Sequence, residues 1–185
     1  EIINIDFNNL NLYADKILGD DLFFCIGTTK KQTPNKNEYR RVEYTIPSQI
    51  AKIAKENNIK SFIYVSSLGS NHLSKNNYLK NKGDAEEIMK KLNFPYLYII
   101  RPSFLLGPRK EFRLGEVIGQ NIFKYLSFLF LGSLKKFRAI EVNVVDMGSG
   151  YEAQHVVAKS MMLITKNKSD KVYYDSNDLK DISDK

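Results

Sequence analysis

The stretch from Phe62 to Leu92, FIYVSSLGSNHLSKNNYLKNKGDAEEIMKKL, decides how the rest of the chain is read. It opens on four apolar residues, Phe62 to Val65, rich in aromatic and β-branched types and too short for a helix, which reads as a buried strand. Ser66 and Ser67 follow it. After a polar loop a helical period begins at Tyr78. Counting by fours and threes aligns Tyr78, Lys82, Ala85, Met89 and Leu92 on one face and puts Glu86, Glu87, Lys90 and Lys91 on the outward one. Lys82 therefore sits in the inward stripe, where a solvated lysine does not belong. Its neighbour Gly83 costs about 1 kcal/mol relative to alanine inside a helix, so the spacing predicts close approach of another backbone or of a ligand there. Two readings stay open: Lys82 snorkels out to water near the helix end, or its charge is needed inside.

Outward from this stretch, short apolar runs alternate with segments of helical period. Ile2 to Phe7, Leu22 to Ile26, Phe62 to Val65 and Tyr96 to Ile100 read as buried strands; Leu10 to Leu18, Glu38 to Asn57 and Tyr78 to Leu92 read as helices. Pro47 falls inside the second helical segment, which is either kinked there or split in two with Pro47 at the first position of the latter helix. Strand and helix in alternation predict an α/β fold, a Rossmann-like parallel sheet with flanking helices and right-handed crossovers. Ligands in such sheets bind beyond the carboxyl ends of the strands. Here those ends carry Asp6-Phe7, Gly27-Thr28-Thr29, Ser66-Ser67 and Arg101-Pro102-Ser103. Loops are polar in any case, but four polar or small strand ends in succession suit a ligand.

The Tyr78 and Lys82 spacing has a chemical reason. A phenol is a poor base near neutral pH, and bringing it there takes about 4 kcal/mol of preferential stabilisation of the phenolate. An ammonium group one turn away in a partly dry site has the right sign for that, and a serine at the preceding strand end can hydrogen-bond the carbonyl or hydroxyl being reacted. The arrangement suits hydride transfer or epimerisation with Tyr78 as proton donor or acceptor.

This stretch resembles the short-chain dehydrogenase/reductase superfamily, whose serine and Tyr-x-x-x-Lys follow a sheet strand. Together with DLFFCIGTTK and IIRPSFLLGPRKEFRLGE, it resembles more narrowly the atypical group of that superfamily, over Glu1 to about Val142. The resemblance implies NADP or NAD as cofactor, Tyr78 and Lys82 as catalytic pair with Lys82 also a cofactor-ribose ligand, and Ser67 as the serine, with Ser66 close behind. By the same analogy Asp6 and Phe7 lie near adenine, Gly27, Thr28 and Thr29 along the cofactor, and Arg101, Pro102 and Ser103 beside the nicotinamide.

Two departures stand out. The superfamily holds the pyrophosphate on a glycine-rich turn after its first strand, and no such turn occurs in this sequence. The expectation is one domain over 1–185 that lacks the first βαβ portion. Residues 143–155, around Gly148-Ser149-Gly150, read as an inserted loop of linker composition. In GPRKEFRLGE, Arg109 or Arg113 is a candidate clamp for an anionic substrate or the cofactor phosphate; an arginine–glutamate pair pinning the loop is the equal alternative.

Bulk properties narrow the classes. The chain has 185 residues, 43% of them hydrophobic, enough for a sizeable core. Its formal charge of +7 comes from lysines scattered among asparagines and acids, with no aromatic-basic motif for specific nucleic-acid recognition. The single cysteine, Cys25, reads as a buried core residue and predicts a reducing, cytoplasmic compartment. Two histidines and no Cys/His cluster predict no metal site. The apolar window Val117–Leu134 is broken by Gln120, Asn121 and Lys124 and predicts an amphipathic helix, not a transmembrane segment. The leading function is an NAD(P)-dependent oxidoreductase acting on a small carbonyl or alcohol; the alternative is a nucleotide-sensing regulatory or scaffold protein with the same fold. Oligomeric state is not legible.

Overall fold

Three of the four apolar runs become strands, and helical segments separate them. The computed structural model of the chain describes residues 1–102 and 150–184. In chain order, a short 3-10 helix (Leu10–Lys16) precedes β1 (Asp21–Phe24); α1 (Lys36–Arg40) runs through a π-helical turn (Arg41–Thr45) into α2 (Ile46–Glu56); β2 (Ser61–Val65), α3 (Asn77–Lys91) and β3 (Tyr96–Arg101) follow, then α4 (Gly150–Asn167), β4 (Tyr173–Asp175) and α5 (Ser176–Ser183). The strands form one sheet in the order β1-β2-β3-β4. Pairing is parallel with Phe24 opposite Tyr64 and Tyr64 opposite Ile99, so the carboxyl ends of β1, β2 and β3 emerge side by side. This is the expected α/β, Rossmann-like architecture.

The described residues divide into two compact units. In the first, which comprises Glu1–Arg101 and Lys168–Tyr173, β2 lies between β1 and β3, and Phe62, Ile63 and Tyr64 are fully buried. A strand covered on both faces reads as a continuous apolar run, because neither face can carry polar side chains. The core packs Phe24, Ile50, Ala54, Phe62, Tyr64, Ala85, Met89 and Ile99 together. In the second unit, Val157, Met161 and Ile164 of α4 and Leu179 of α5 are buried, and the Ser160 hydroxyl donates to the carbonyl of Leu179 at 2.6 Å. Asp175 opens α5 with a reciprocal cap to Asp178, which satisfies backbone donors that the helix itself leaves unpaired.

The segment around Pro47 is continuous and helical, with a π turn ahead of the proline. Proline has no N–H, and its ring crowds the carbonyl four residues back, here that of Glu43. The chain opens into a wider turn over Arg41–Thr45, and Pro47 falls in the first turn of α2, where no intrahelical donor is required.

Three expectations are corrected. Ile2 to Phe7 forms no strand: Ile5 and Phe7 pack against the core, but Ile2 is 95% exposed. Apolar composition marks burial, whereas a strand also needs a neighbouring edge to receive its backbone hydrogen bonds. The helix read from Leu10 to Leu18 is the shorter 3-10 helix. Cys25 is exposed, just past the end of β1. It follows an edge strand of the described sheet, and the same edge leaves Phe23 and Ile26 each 42% exposed.

Residues 143–149 of the segment read as an insertion, and the window Val117–Leu134, lie outside the described residues; Gly150 opens α4. Among the described residues, no helix is long and apolar enough to cross a membrane.

Candidate active site at the carboxyl ends of β1 and β2

Asn76 sets where α3 begins. Its side-chain oxygen accepts from the backbone N–H of Tyr78 at 2.9 Å and of Leu79 at 3.4 Å, an N-cap that frees the next turn to carry side chains inward. Tyr78 is thereby held in the first turn, facing the loop that leaves β2. There the Ser67 hydroxyl is near enough to the phenol to favour its ionised form. Both residues are half-buried.

Lys82 lies one turn further on, only 4% exposed. Its ammonium donates to the carbonyl of Val65 at 3.0 Å, lies 3.1 Å from a carboxylate oxygen of Glu43, and sits 4.8 Å above the ring of Tyr64. The amine thus points into the fold and does not snorkel. Burial holds its pKa below the ordinary lysine value, and Glu43 opposes that shift.

Glu43 comes from the π-helical turn and is itself 1% exposed. Its other carboxylate oxygen accepts from the backbone N–H of Thr28 at 2.6 Å, so one side chain joins the end of β1 to the lysine of α3. Arg40 fastens the turn that carries it: the guanidinium donates to Asn81 at 2.7 Å and Asp84 at 2.9 Å on α3, and lies 4.1 Å from the Tyr44 ring centre. Gly27 is exposed beside this pair, and a Cβ built on it lies 3.4 Å from Glu43 Oε1 and 3.9 Å from Lys82 Nζ.

The close approach expected at Gly83 is that of a backbone. A Cβ there falls 2.4 Å from the carbonyl carbon of Asn71 and the nitrogen of His72. The loop after Ser67 is therefore laid directly across α3.

The expected fall in the Tyr78 pKa is not found; the phenol is held above its ordinary value. Burial is the main cause, the Glu43 charge adds to it, and the nearby Ser67 hydroxyl works against it. Lys82 faces the Glu43 carboxylate, which offsets part of its charge.

The remaining candidates have other partners. Ser66 is 4% exposed and donates to Glu86 Oε1, with the Ser70 hydroxyl at 3.0 Å. Arg101 grips Glu86 through Nε at 3.0 Å and through Nη2, and its guanidinium carbon lies 4.2 Å from the Tyr173 ring centre. Pro102 is buried. Thr28 and Thr29 turn their hydroxyls into their own loop, toward Thr33 at 2.7 Å and Gln32 at 3.3 Å. Asp6 accepts from the backbone and side chain of Asn8 and the side chain of Asn9, which keeps its carboxyl below the usual range. Phe7 joins the rim of the core. Ser103, Arg109 and Arg113 lie outside the described residues. The structure thus brings Ser67, Tyr78, Lys82, Gly27 and the Thr28 amide to the neighbouring strand ends, and engages Ser66 and Arg101 in a separate network.

Two residues escaped the sequence reading. Glu86 is placed on the outward face by the count from Tyr78, yet it is 2% exposed. The buried stripe of α3 is wider than a strict three-four count and takes in Lys82, Ala85, Glu86 and Met89 together. Glu43 carried a readable signal: Tyr39, Glu43, Ile46 and Ile50 follow the same fours and threes that singled out Lys82.

The comparisons give the class: the chain is related to the atypical short-chain dehydrogenases/reductases and has their Rossmann-type fold. Its homologues include Protein FMP52, mitochondrial, of Candida albicans, 37% identical over 134 residues that span 71% of this chain and 58% of that one. Protein HTATIP2 of Rattus norvegicus is 32% identical over 152 residues, 79% of this chain and 62% of its own. The chain spans about three-fifths of the length of these two relatives. No family model matches it. Among solved structures, MoeE5 in complex with UDP-glucose and NAD superposes with a TM-score of 0.57 at 14% identity, over 98% of this chain and 67% of that one. A short-chain dehydrogenase from Streptomyces avermitilis gives 0.52 at 12% identity, over 100% and 73%. These likenesses establish the fold.

The relatives also correct the expected location. FMP52 proteins from Candida albicans, Debaryomyces hansenii and Scheffersomyces stipitis are named mitochondrial, against the cytoplasmic expectation. A lone cysteine reports a reducing environment, which more than one compartment offers.

Proposed function

We propose that the chain carries the reacting end of an NAD(P)-dependent oxidoreductase that acts on a small carbonyl or alcohol. The observation that carries this reading is the buried ammonium of Lys82, one turn along α3 from Tyr78, donating to the Val65 carbonyl at the end of β2. A nicotinamide dinucleotide fits what is present at its nicotinamide-ribose end. Gly27 is bare and exposed, its Cβ position lies within 4 Å of Lys82 Nζ, and the two hydroxyls lie at the neighbouring strand end. When bound, the dinucleotide supplies or accepts the hydride. The Ser67 hydroxyl hydrogen-bonds the substrate oxygen and orients it. Tyr78 keeps its proton until needed, because burial favours the neutral phenol; it gives that proton to the carbonyl oxygen as hydride reaches carbon, and recovers it from water. Lys82 holds a ribose hydroxyl and stabilises the phenolate that forms. The mitochondrial names of the FMP52 relatives support a mitochondrial location.

Replacing Tyr78 by phenylalanine is the test. Turnover falls by about 100- to 10,000-fold, the usual contribution of a positioned general acid, while NADH or NADPH binding followed by fluorescence stays within a factor of a few. Equal turnover in the two proteins sinks the assignment.

A second reading is a nucleotide sensor without turnover. The Tyr78 phenol held above its ordinary value and the pairing of Lys82 with Glu43 favour it. Dinucleotide binding with no oxidation of the reduced form by any of a panel of carbonyls decides for the sensor.

A further inference from the structure

Lys82 is an ammonium group in a nearly dry place, and the sequence offers it no counter-charge on its own helix face other than Glu86, which Arg101 already grips from two nitrogens. Among the described residues, the groups around the amine are few. The π-helical turn presents Glu43 at 3.1 Å, β2 presents the Val65 carbonyl at 3.0 Å and the Tyr64 ring, the end of β1 presents Cys25, and α3 itself presents Glu86. Of these, Glu43 alone is a carboxylate in ion-pair contact with it. Glu43 is in turn held on both sides, by the Thr28 amide at 2.6 Å and by the Arg40 clamp that joins its turn to α3. The pair sits beneath exposed Gly27, where the reading above puts the cofactor ribose.

We propose that Glu43 is the positioning residue of Lys82: it holds the ammonium charged and tethered beneath Gly27, and acts on the reaction through Lys82 without touching substrate or cofactor. The catalytic part of this inference rests on the oxidoreductase reading; the charge pair itself does not. Its physical basis is that a buried ammonium keeps its proton only when an opposite charge or good acceptors compensate for lost hydration. The Val65 carbonyl is one acceptor, and Glu43 supplies the charge.

The test is a titration of the Lys82 side-chain nitrogen by NMR in the full chain labelled at lysine, with the resonance assigned by its loss in Lys82→Met. In Glu43→Gln the midpoint for loss of the ammonium proton moves to lower pH by about 1 to 3 units, the usual effect of removing one close opposite charge. Glu43→Asp recovers part of that movement, and the alkaline limb of the turnover–pH profile moves with it. A Lys82 titration in Glu43→Gln that superposes on the parent curve overturns the proposal, even if the melting temperature has dropped, because a purely structural glutamate would do only the latter. If Glu43→Gln does not fold, the double variant Glu43→Gln/Lys82→Met decides. Recovery of folding supports the pairing, and an unfolded double variant overturns it. If the parent chain neither binds nor oxidises NADH while the Lys82 midpoint moves as stated, the pairing stands and the oxidoreductase reading alone falls.

Discussion

Arg101 at the end of β3 holds the buried carboxylate of Glu86 through two of its nitrogens, while Ser66 donates to that same carboxylate from the end of β2. Two strand ends and α3 are thus locked by one side chain. A fork-shaped guanidinium suits such a double contact, and charge-assisted bonds of this kind are roughly twice as strong as neutral ones.

Glu86→Gln keeps an acceptor for Ser66 and removes the charge that faces Arg101. The expected loss is about 2 to 3 kcal/mol of unfolding free energy, the scale of a hydrogen bond to a charged group, read by urea denaturation. Arg101→Lys should not restore the parent stability, since an ammonium cannot make the paired contact. A change within 0.5 kcal/mol, about the level of an ordinary surface substitution, would show the network to be dispensable.

Gly83→Ala tests the crossing of loop and helix. In an exposed helix this change stabilises by about 1 kcal/mol. Here the new Cβ would fall 2.4 Å from the backbone of Asn71 and His72, so the loop must move. The expected net effect is destabilisation by about 1 to 3 kcal/mol, as for other overpacked sites. Because the same loop carries Ser67, turnover should fall more than cofactor affinity. A stabilised variant would show that the loop is free to yield.

The phenol of Tyr78 is held above its ordinary value by burial and by the Glu43 charge. A raised folded value means that the protonated form contributes its stability below about pH 10, where the unfolded phenol titrates. That contribution is lost as pH rises through the folded value. Ultraviolet titration of the cofactor-free chain should therefore show Tyr78 among the last phenols to ionise, together with Tyr64, which burial pushes well above the usual range. Tyr78→Phe should remove one of these late phenols. Ionisation of Tyr78 near neutral pH would contradict the arrangement described.

How much of this was legible before any coordinates follows from what each signal measures. Strands β1, β2 and β3 and helix α3 were readable because burial imposes a composition and a period, and the same period exposed Lys82 as a charge on an inward face. Ile2 to Phe7 had the composition without the strand, since no neighbouring edge takes up its hydrogen bonds. Glu86 was missed because the covered face of α3 is broader than a three-four stripe.

What the amino-acid order settled alone was local: that strands β1, β2 and β3 and helix α3 form, and that Lys82 lies on the inward side of α3. What the three-dimensional packing decided was pairing across distance. That Lys82 faces Glu43, thirty-nine positions earlier in the chain, depends on parallel strands that bring their ends, and the helices between them, together. Ionic contacts between separated segments leave no periodic trace in a sequence, because the partner is chosen by the fold and not by its neighbours in the chain.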